Sequence, residues 1–431
     1  MLKPSPANSR AADSRAAKSR SALFSDIYRP DAKAVRFLTV LVLFGVAFGL
    51  YRGIQDNYLA DIIHISPFER GIVEFFREIP GLLVVLFLAL MYRFTDSRIF
   101  KISIALMTGG TAGLLLTSSS PYFMTKFLVV LFMVLYSIGD HLLSVVRATI
   151  SMDLAKREKS GASLGMTSSV NQLGQIVGFI LVTGIFFFLA RFGYKRADIS
   201  GYRITFALST GLMIASCLIA LALKETTLKT KRRRFYFARK FHKYYMLEVF
   251  YGSRKQVFLT FAPYVLILHY GADPSIMSLL YAICAGFGIF FAPLMGKLID
   301  RLGYKAVMVA DTILLFVVCL LYGFSHRIFP SKEIAFWVVC TNFVLDSVLS
   351  MAHMAAQIYV QRISSNQEEI TATLSTGVSV NHVISIFIAL MGGWIWKVTG
   401  IEVLFSLSAF LALLNCIYAA TIKKSEEYNA G

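Results

Sequence analysis

Several ionisable residues stand inside the most apolar stretches of this chain. Each such group costs about 2.5–3.5 kcal/mol on membrane-insertion scales, so each marks a candidate functional position. Arg52 and Asp56 are spaced i, i+4, and Glu74, Arg77 and Glu78 put i, i+3 and i, i+4 neighbours on one face. On helices both sets are in register for ion pairs. Arg52 and Arg77, with Arg147, have the chemistry to clamp a carboxylate or phosphate. Neutralised by Asp56, Glu74 and Glu78, the same arginines suit a zwitterion or a polar neutral molecule.

Asp140 with His141, and Asp346 with His353, can hold and release a proton near neutral pH. Burial disfavours a charged carboxylate, and imidazole titrates in that range. Adjacent residues on a helix point about 100° apart, so Asp140 and His141 cannot face one spot, and Asp140 is expected to face inward. Asn171, Gln172 and Gln175, and Asn381 and His382, add polar groups in two other apolar runs. Asp56, Asp140, Asp346, His141, His353 and His382 are together an O/N donor set for a divalent ion. Neither an HxxxH spacing nor any other local ligand spacing supports that use, and nearby arginines repel a cation, so no metal site is expected.

The elements that position these groups follow from composition. Of 431 residues 56% are hydrophobic and 16% charged, with a mean hydropathy of +0.64. An ordinary soluble domain is roughly a quarter charged. A soluble globule and a disordered chain are excluded. Twelve runs of about 20 residues can span the hydrocarbon layer: 37–60, 70–92, 99–119, 122–147, 163–190, 202–223, 255–271, 275–296, 304–324, 334–361, 371–396 and 401–422. Cys217, Cys284, Cys319, Cys340 and Cys416 all lie within such runs and read as small buried hydrophobes. The polar start of the chain lacks the pattern of a cleaved signal peptide.

Sorted by connection, 32 of the 43 Lys and Arg fall on one side and 9 on the other. The basic side is the cytoplasmic one, which puts both termini in the cytoplasm and accounts for the net charge of +18 without nucleic acid. The 224–250 connection interleaves cations with aromatic rings over 231–245, which on a helix would lie in the interface against anionic lipid.

An internal repeat links the halves. Ala162 to Gln172 aligns without gaps on Ala372 to His382, an offset of 210 that Glu158 and Glu368 share. Asp96 and Lys101 align on Asp300 and Lys305. Gly296-Lys-Leu-Ile-Asp300-Arg301-Leu-Gly303-Tyr-Lys305 resembles the G-x-x-x-D-R-x-G-x-K loop signature of the major facilitator superfamily, over about residues 37–422. The first-half copy around Asp96 lacks both glycines.

The resemblance implies an all-α polytopic membrane protein of 12 transmembrane helices in two pseudo-symmetric six-helix bundles. It also implies a cavity lined by spans 1, 4, 7 and 10 and flanked by 2, 5, 8 and 11. Asp300 would meet the start of span 5, and Asp96 the start of span 11, as latches at the cytoplasmic end. The expected organisation is a tail 1–36, bundle 37–223, linker 224–250, bundle 251–422 and tail 423–431. The expected function is proton-coupled secondary transport of a small polar or charged organic solute across the cytoplasmic membrane by a monomer, without cofactor or enzyme activity. The Arg52, Asp56, Glu74, Arg77 and Glu78 cluster would serve as binding site or outer gate, with Asn171, Gln172, Asn381 and His382 beside it. A receptor that signals through the 224–250 segment, a lipid or amphiphile carrier and a metal transporter are the alternatives.

Overall fold

The computed structural model describes residues 25–28, 32–117, 123–194, 198–223 and 236–422. Among the described residues twelve long helical segments run up and down: α1 (Ala32–Ile62, its last turn a π-helix from Tyr58), α2 (Pro67–Leu90), α3 (Asp96–Leu116), α4 (Phe123–Leu154), α5 (Ser160–Arg191), α6 (Ile199–Leu221), α7 (His242–Thr260), α8 (Pro274–Leu302), α9 (Tyr304–Ile328), α10 (Lys332–Ile363), α11 (Gln367–Thr399) and α12 (Ile401–Ala420). After a break at Phe261, α7 continues as the short helix Ala262–Leu268. In α10 a 3₁₀ turn at Ser350–His353 interrupts the helix. The end holding Ala32 and Ala420 is called the near end below, and the other the far end.

Local chemistry sets many of the helix starts. Ser66 and Glu69 form a reciprocal capping box at α2, while Thr95, Asp273 and Asn366 accept from the first turns of α3, α8 and α11. Gly303, at φ 82°, turns the chain from α8 into α9, a conformation that other residues seldom adopt.

Among the described residues, ten helices are long and apolar enough to cross a membrane. The two left out, α2 and α7, carry the charge. Glu69, Arg70, Glu74, Arg77 and Glu78 lie on α2, and Lys243, Glu248, Arg254 and Lys255 on α7. The seventh span therefore starts at His242 rather than at 255. Tyr244, Tyr245, Leu247 and Glu248, expected in an interfacial linker, are buried in the bundle. Lys231 to Arg234, most of both tails and residues 423–431 lie outside the described residues. A piece of the expected N-terminal tail, Ser25 to Tyr28, lies against the α4–α5 connection, where Lys156 N donates to Ile27 O at 2.9 Å and Lys159 pairs with Asp26.

The two six-helix bundles repeat one packing plan. In the first, α1 lies on α5 and α6, α2 on α4, and α3 on α4 and α6. In the second, α7 lies on α11 and α12, α8 on α10, and α9 on α10 and α12. The halves meet where α2 packs on α11 and α5 on α8.

Glycines bring α1 and α5 together. A Cβ on Gly49 would stand 2.3 Å from Gln175 O, and one on Gly178 2.3 Å from Val46 O. Backbone cannot yield as a side-chain end can, and small residues let membrane helices approach closely. Gly178→Leu should therefore cost about 1–3 kcal/mol or more through overpacking, read as a lower unfolding midpoint in detergent. Gly184→Ala, on the same helix where nothing lies within 4 Å, should leave it unchanged.

Candidate functional site

The charges on α1 and α2 are joined in one chain of contacts. Arg52 Nη1 lies 3.3 Å from Asp56 Oδ2, and Asp56 Oδ1 accepts from Arg70 Nη2 at 3.0 Å. Arg70 Nη1 donates to Glu74 Oε2 at 2.7 Å, and Arg77 Nε to the same oxygen at 2.9 Å. Arg77 also contacts Glu74 Oε1, and reaches Glu78 Oε1 at 3.4 Å. Three guanidinium groups thus alternate with three carboxylates, and the group is neutral as a whole. Arg70 and Glu74 are completely buried. Arg70, the first residue of the second apolar run and not singled out by the sequence reading, is the centre of the cluster. Its i, i+4 spacing to Glu74 is the signal for it in the sequence.

Two side chains of the second half complete the chain. Tyr281 on α8 donates to Asp56 Oδ2 at 2.7 Å, and Arg52 lies over its ring. His382 on α11 lies with Nδ1 2.9 Å from Glu78 Oε2. His141 on α4 meets the ring of His382 edge-on at 5.2 Å, and one donor atom from each of Glu78, His141 and His382 falls within 4.8 Å of the others.

A second charged group lies inside the second half. Arg254 on α7 donates to Asp346 Oδ1 from Nε at 3.1 Å and from Nη2 at 3.0 Å, and its Nη1 is 3.5 Å from Asp311 Oδ1. Asp311, on α9, is thus the second acidic neighbour of Arg254. Glu248 pairs with His353 Nε2 at 3.0 Å, and the His353 ring stacks on Tyr251 at 3.7 Å. Tyr251, Arg254, Lys255, Tyr281, Phe343 and Asp346 are among the residues around a cavity of roughly 210 Å³. Glu248, Arg254 and Lys255 escaped the sequence reading because the seventh span begins a dozen residues earlier than its apolar run.

The repeat has a geometric meaning. Asn381 Nδ2 donates to Glu248 and its Oδ1 accepts from Lys255 Nζ at 2.8 Å, so it faces α7 of its own half. At Asn171 it is the backbone carbonyl that lies against α1, at Gly45, and its side-chain Oδ1 has no hydrogen-bond partner among the described residues. The next residue in each copy crosses to the other half. Gln172 Nε2 donates to Ala285 O at 2.9 Å, and His382 reaches Glu78.

Of the adjacent pair on α4, His141 reaches the seam between the halves. Asp140 is half-buried and makes no hydrogen bond or ion pair with a described residue. The latch motif lies at the near end. Asp96 is buried in the first turn of α3, Asp300 and Arg301 are exposed, and Lys305 Nζ donates to Ile422 O. Asp300 has no partner among the described residues, and Gly161 and Gly165 at the start of α5 face open space, as does Gly296. The hydrogen bonds Asn57 to Ala272 O, Ser275 to Thr183 O and Ser278 to Gly53 O close the far end instead.

Two pseudo-symmetric six-helix bundles with charged groups at their seam form the architecture of a secondary transporter. Residues 244–430 match the family described as Major Facilitator Superfamily, and residues 3–228, just over half of the chain, match the one described as PUCC protein. The chain belongs to the major facilitator superfamily. A mutant of the nucleoside transporter NupG superposes with a TM-score of 0.72 at 12% identity, over 91% of this chain and 100% of that one. A bacterial homologue of the iron transporter ferroportin, inward-facing, gives 0.69 at 13% identity over 90% and 98%. The xylose transporter XylE from E. coli, partially occluded and inward-open, gives 0.64 at 15% over 91% and 98%. No curated protein matches the chain in sequence.

Removing one partner from a buried ion pair leaves an uncompensated charge, which costs about 3–5 kcal/mol. Arg70→Met should therefore lower the thermal midpoint sharply in detergent. Arg327→Met, which breaks the exposed pair to Glu402, should change stability by about 1 kcal/mol or less.

Proposed function

We propose that the protein is a secondary active transporter for a small organic solute bearing an anionic group, with proton coupling. Lys255 carries the solute reading. Lys255 lines the cavity, and its ammonium donates to the neutral amide of Asn381. Arg52, Arg70, Arg77 and Arg254, by contrast, are each held by carboxylates. A carboxylate or phosphate entering the cavity gains a charge-assisted hydrogen bond there, while Tyr251, Phe258, Tyr281 and Phe343 offer flat apolar walls to the rest of the solute. Solved structures of similar fold include a D-xylose-proton symporter and a POT family transporter in complex with 5-aminolevulinic acid, the first coupled to protons and the second with a small acid bound by their descriptions.

Arg254 supports the coupling. It faces two carboxylates, Asp346 and Asp311, so a unit of negative charge beside the cavity is left for a proton to neutralise. Such groups inside membrane bundles mark proton routes. By the distribution of Lys and Arg, the near end is cytoplasmic. The structure then corresponds to a state closed toward the outside, and alternating access follows when the seam opens and the near end closes.

Lys255→Gln should weaken binding of anionic solutes at least tenfold in a thermal-shift screen and leave neutral ones unaffected. Equal affinity in both proteins would exclude Lys255 as the anion contact. In proteoliposomes, Asp346→Asn should abolish uptake driven by a pH gradient while preserving solute exchange. Full gradient-driven uptake in that variant would remove Asp346 from the coupling role.

A further inference from the structure

Glu78, His141 and His382 come from α2, α4 and α11, and so from both halves of the molecule. None of the three borders the cavity around Lys255. We propose that they form a binding site for one first-row divalent transition-metal ion, Zn²⁺ or Co²⁺ in character, at the seam. The inference does not depend on the solute assignment.

The donors suit such an ion. Two imidazoles and a carboxylate are a common three-residue set for Zn²⁺, with a water in the fourth position. Bonds of 2.0–2.2 Å place tetrahedral donors roughly 3.3 Å apart. Here His382 Nδ1 and Glu78 Oε2 are 2.9 Å apart and all three donors lie within 4.8 Å, so shifts of about an ångström complete the site.

The surroundings orient the ligands. His141 Nδ1 lies 2.8 Å from the Ser137 carbonyl. A carbonyl only accepts, so Nδ1 holds the proton and Nε2 keeps its lone pair, the outer-shell arrangement usual for a metal-binding histidine. Ser137 is fixed in turn by its hydrogen bond to Arg77 O. Gly81 leaves the space into which both rings lean. A Cβ there would stand 2.6 Å from His141 Nε2, 2.6 Å from His382 Cε1 and 2.7 Å from His382 Nδ1. Two cations lie near. Arg77 is held bidentately by Glu74 and touches Glu78 only through Oε1, leaving Oε2 for the ion. Lys255 is bound to Asn381. The ion takes the place of the proton between His382 Nδ1 and Glu78 Oε2. It also cross-links the halves, because α11 supplies one ligand and α2 and α4 the others.

The test uses the untagged full chain in detergent, titrated with Zn²⁺ by calorimetry and with Co²⁺ by visible absorption. One ion per chain is expected, with the intense bands of four-coordinate Co²⁺ and a raised thermal midpoint, since a ligand stabilises the folded form it binds. His141→Gln and His382→Gln should each weaken binding tenfold or more, and Gly81→Ala should do the same without removing a ligand. His326→Gln, which alters the separate His269 and His326 pair at the far end, should have no effect. Absence of saturable binding would overturn the proposal. So would binding that survives the His141→Gln, His382→Gln double variant, or that is lost in His326→Gln.

Discussion

Arg70 is the residue on which the first bundle depends. A guanidinium with no exposed surface, in a chain that spans a membrane, persists only with its charge and hydrogen bonds answered by protein. Asp56 from α1 and Glu74 from α2 provide that, and the Tyr264 ring covers the guanidinium from the second half. Each carboxylate is then shared with a further arginine, Arg52 or Arg77. The sharing forces α1 and α2 into one relative position, because displacement of either helix would strand several buried charges together.

The second bundle solves the same problem with fewer groups. Arg254 occupies a buried position on α7 and is shared between α9 and α10 through Asp311 and Asp346. The repeat extends to the seam. Asn381 ties α11 to α7 of its own bundle, and in each copy the residue after the asparagine crosses to the other bundle, as Gln172 and His382 do. Chemical difference is confined to that crossing position. An amide there makes a single hydrogen bond to a carbonyl, whereas an imidazole meets a carboxylate and a second imidazole. The seam is therefore symmetric in backbone and asymmetric in chemistry.

The number of helices, their repeat and the 6+6 plan were legible in the sequence because ten of the spans are apolar enough to announce themselves. The loop signature around Asp300 was legible for the same reason, being bounded by two such spans. What was not legible follows from the opposite property. Hydropathy reports how a segment meets lipid, and α2 and α7 turn their charges inward. Arg70, Arg254 and Lys255 therefore read as loop cations at the edges of shortened spans. Spacing within one helix found Arg52 with Asp56 and Glu74 with Arg77. No such rule reaches between helices, so Tyr281 with Asp56, Glu248 with His353, and His141 with His382 and Glu78 emerge only from the fold.

The distribution of these contacts bears on how the halves can part. Every link between two fully charged groups at the site lies within one bundle: Arg52, Asp56, Arg70, Glu74 and Arg77 in the first, Arg254, Asp346 and Asp311 in the second. The hydrogen bonds that cross the seam draw on groups able to be neutral, among them the Tyr281 hydroxyl, the Gln172 amide, the His382 ring and, at the far end, Asn57, Ser275 and Ser278. Separating α2 from α11 and α8 from α5 then breaks hydrogen bonds worth about 0.5–3 kcal/mol each, depending on whether a charged acceptor is involved. It leaves the costly buried ion pairs intact. The proposed alternating access is compatible with this distribution: the charges of each bundle are settled internally, and the seam is held by contacts weak enough to be exchanged.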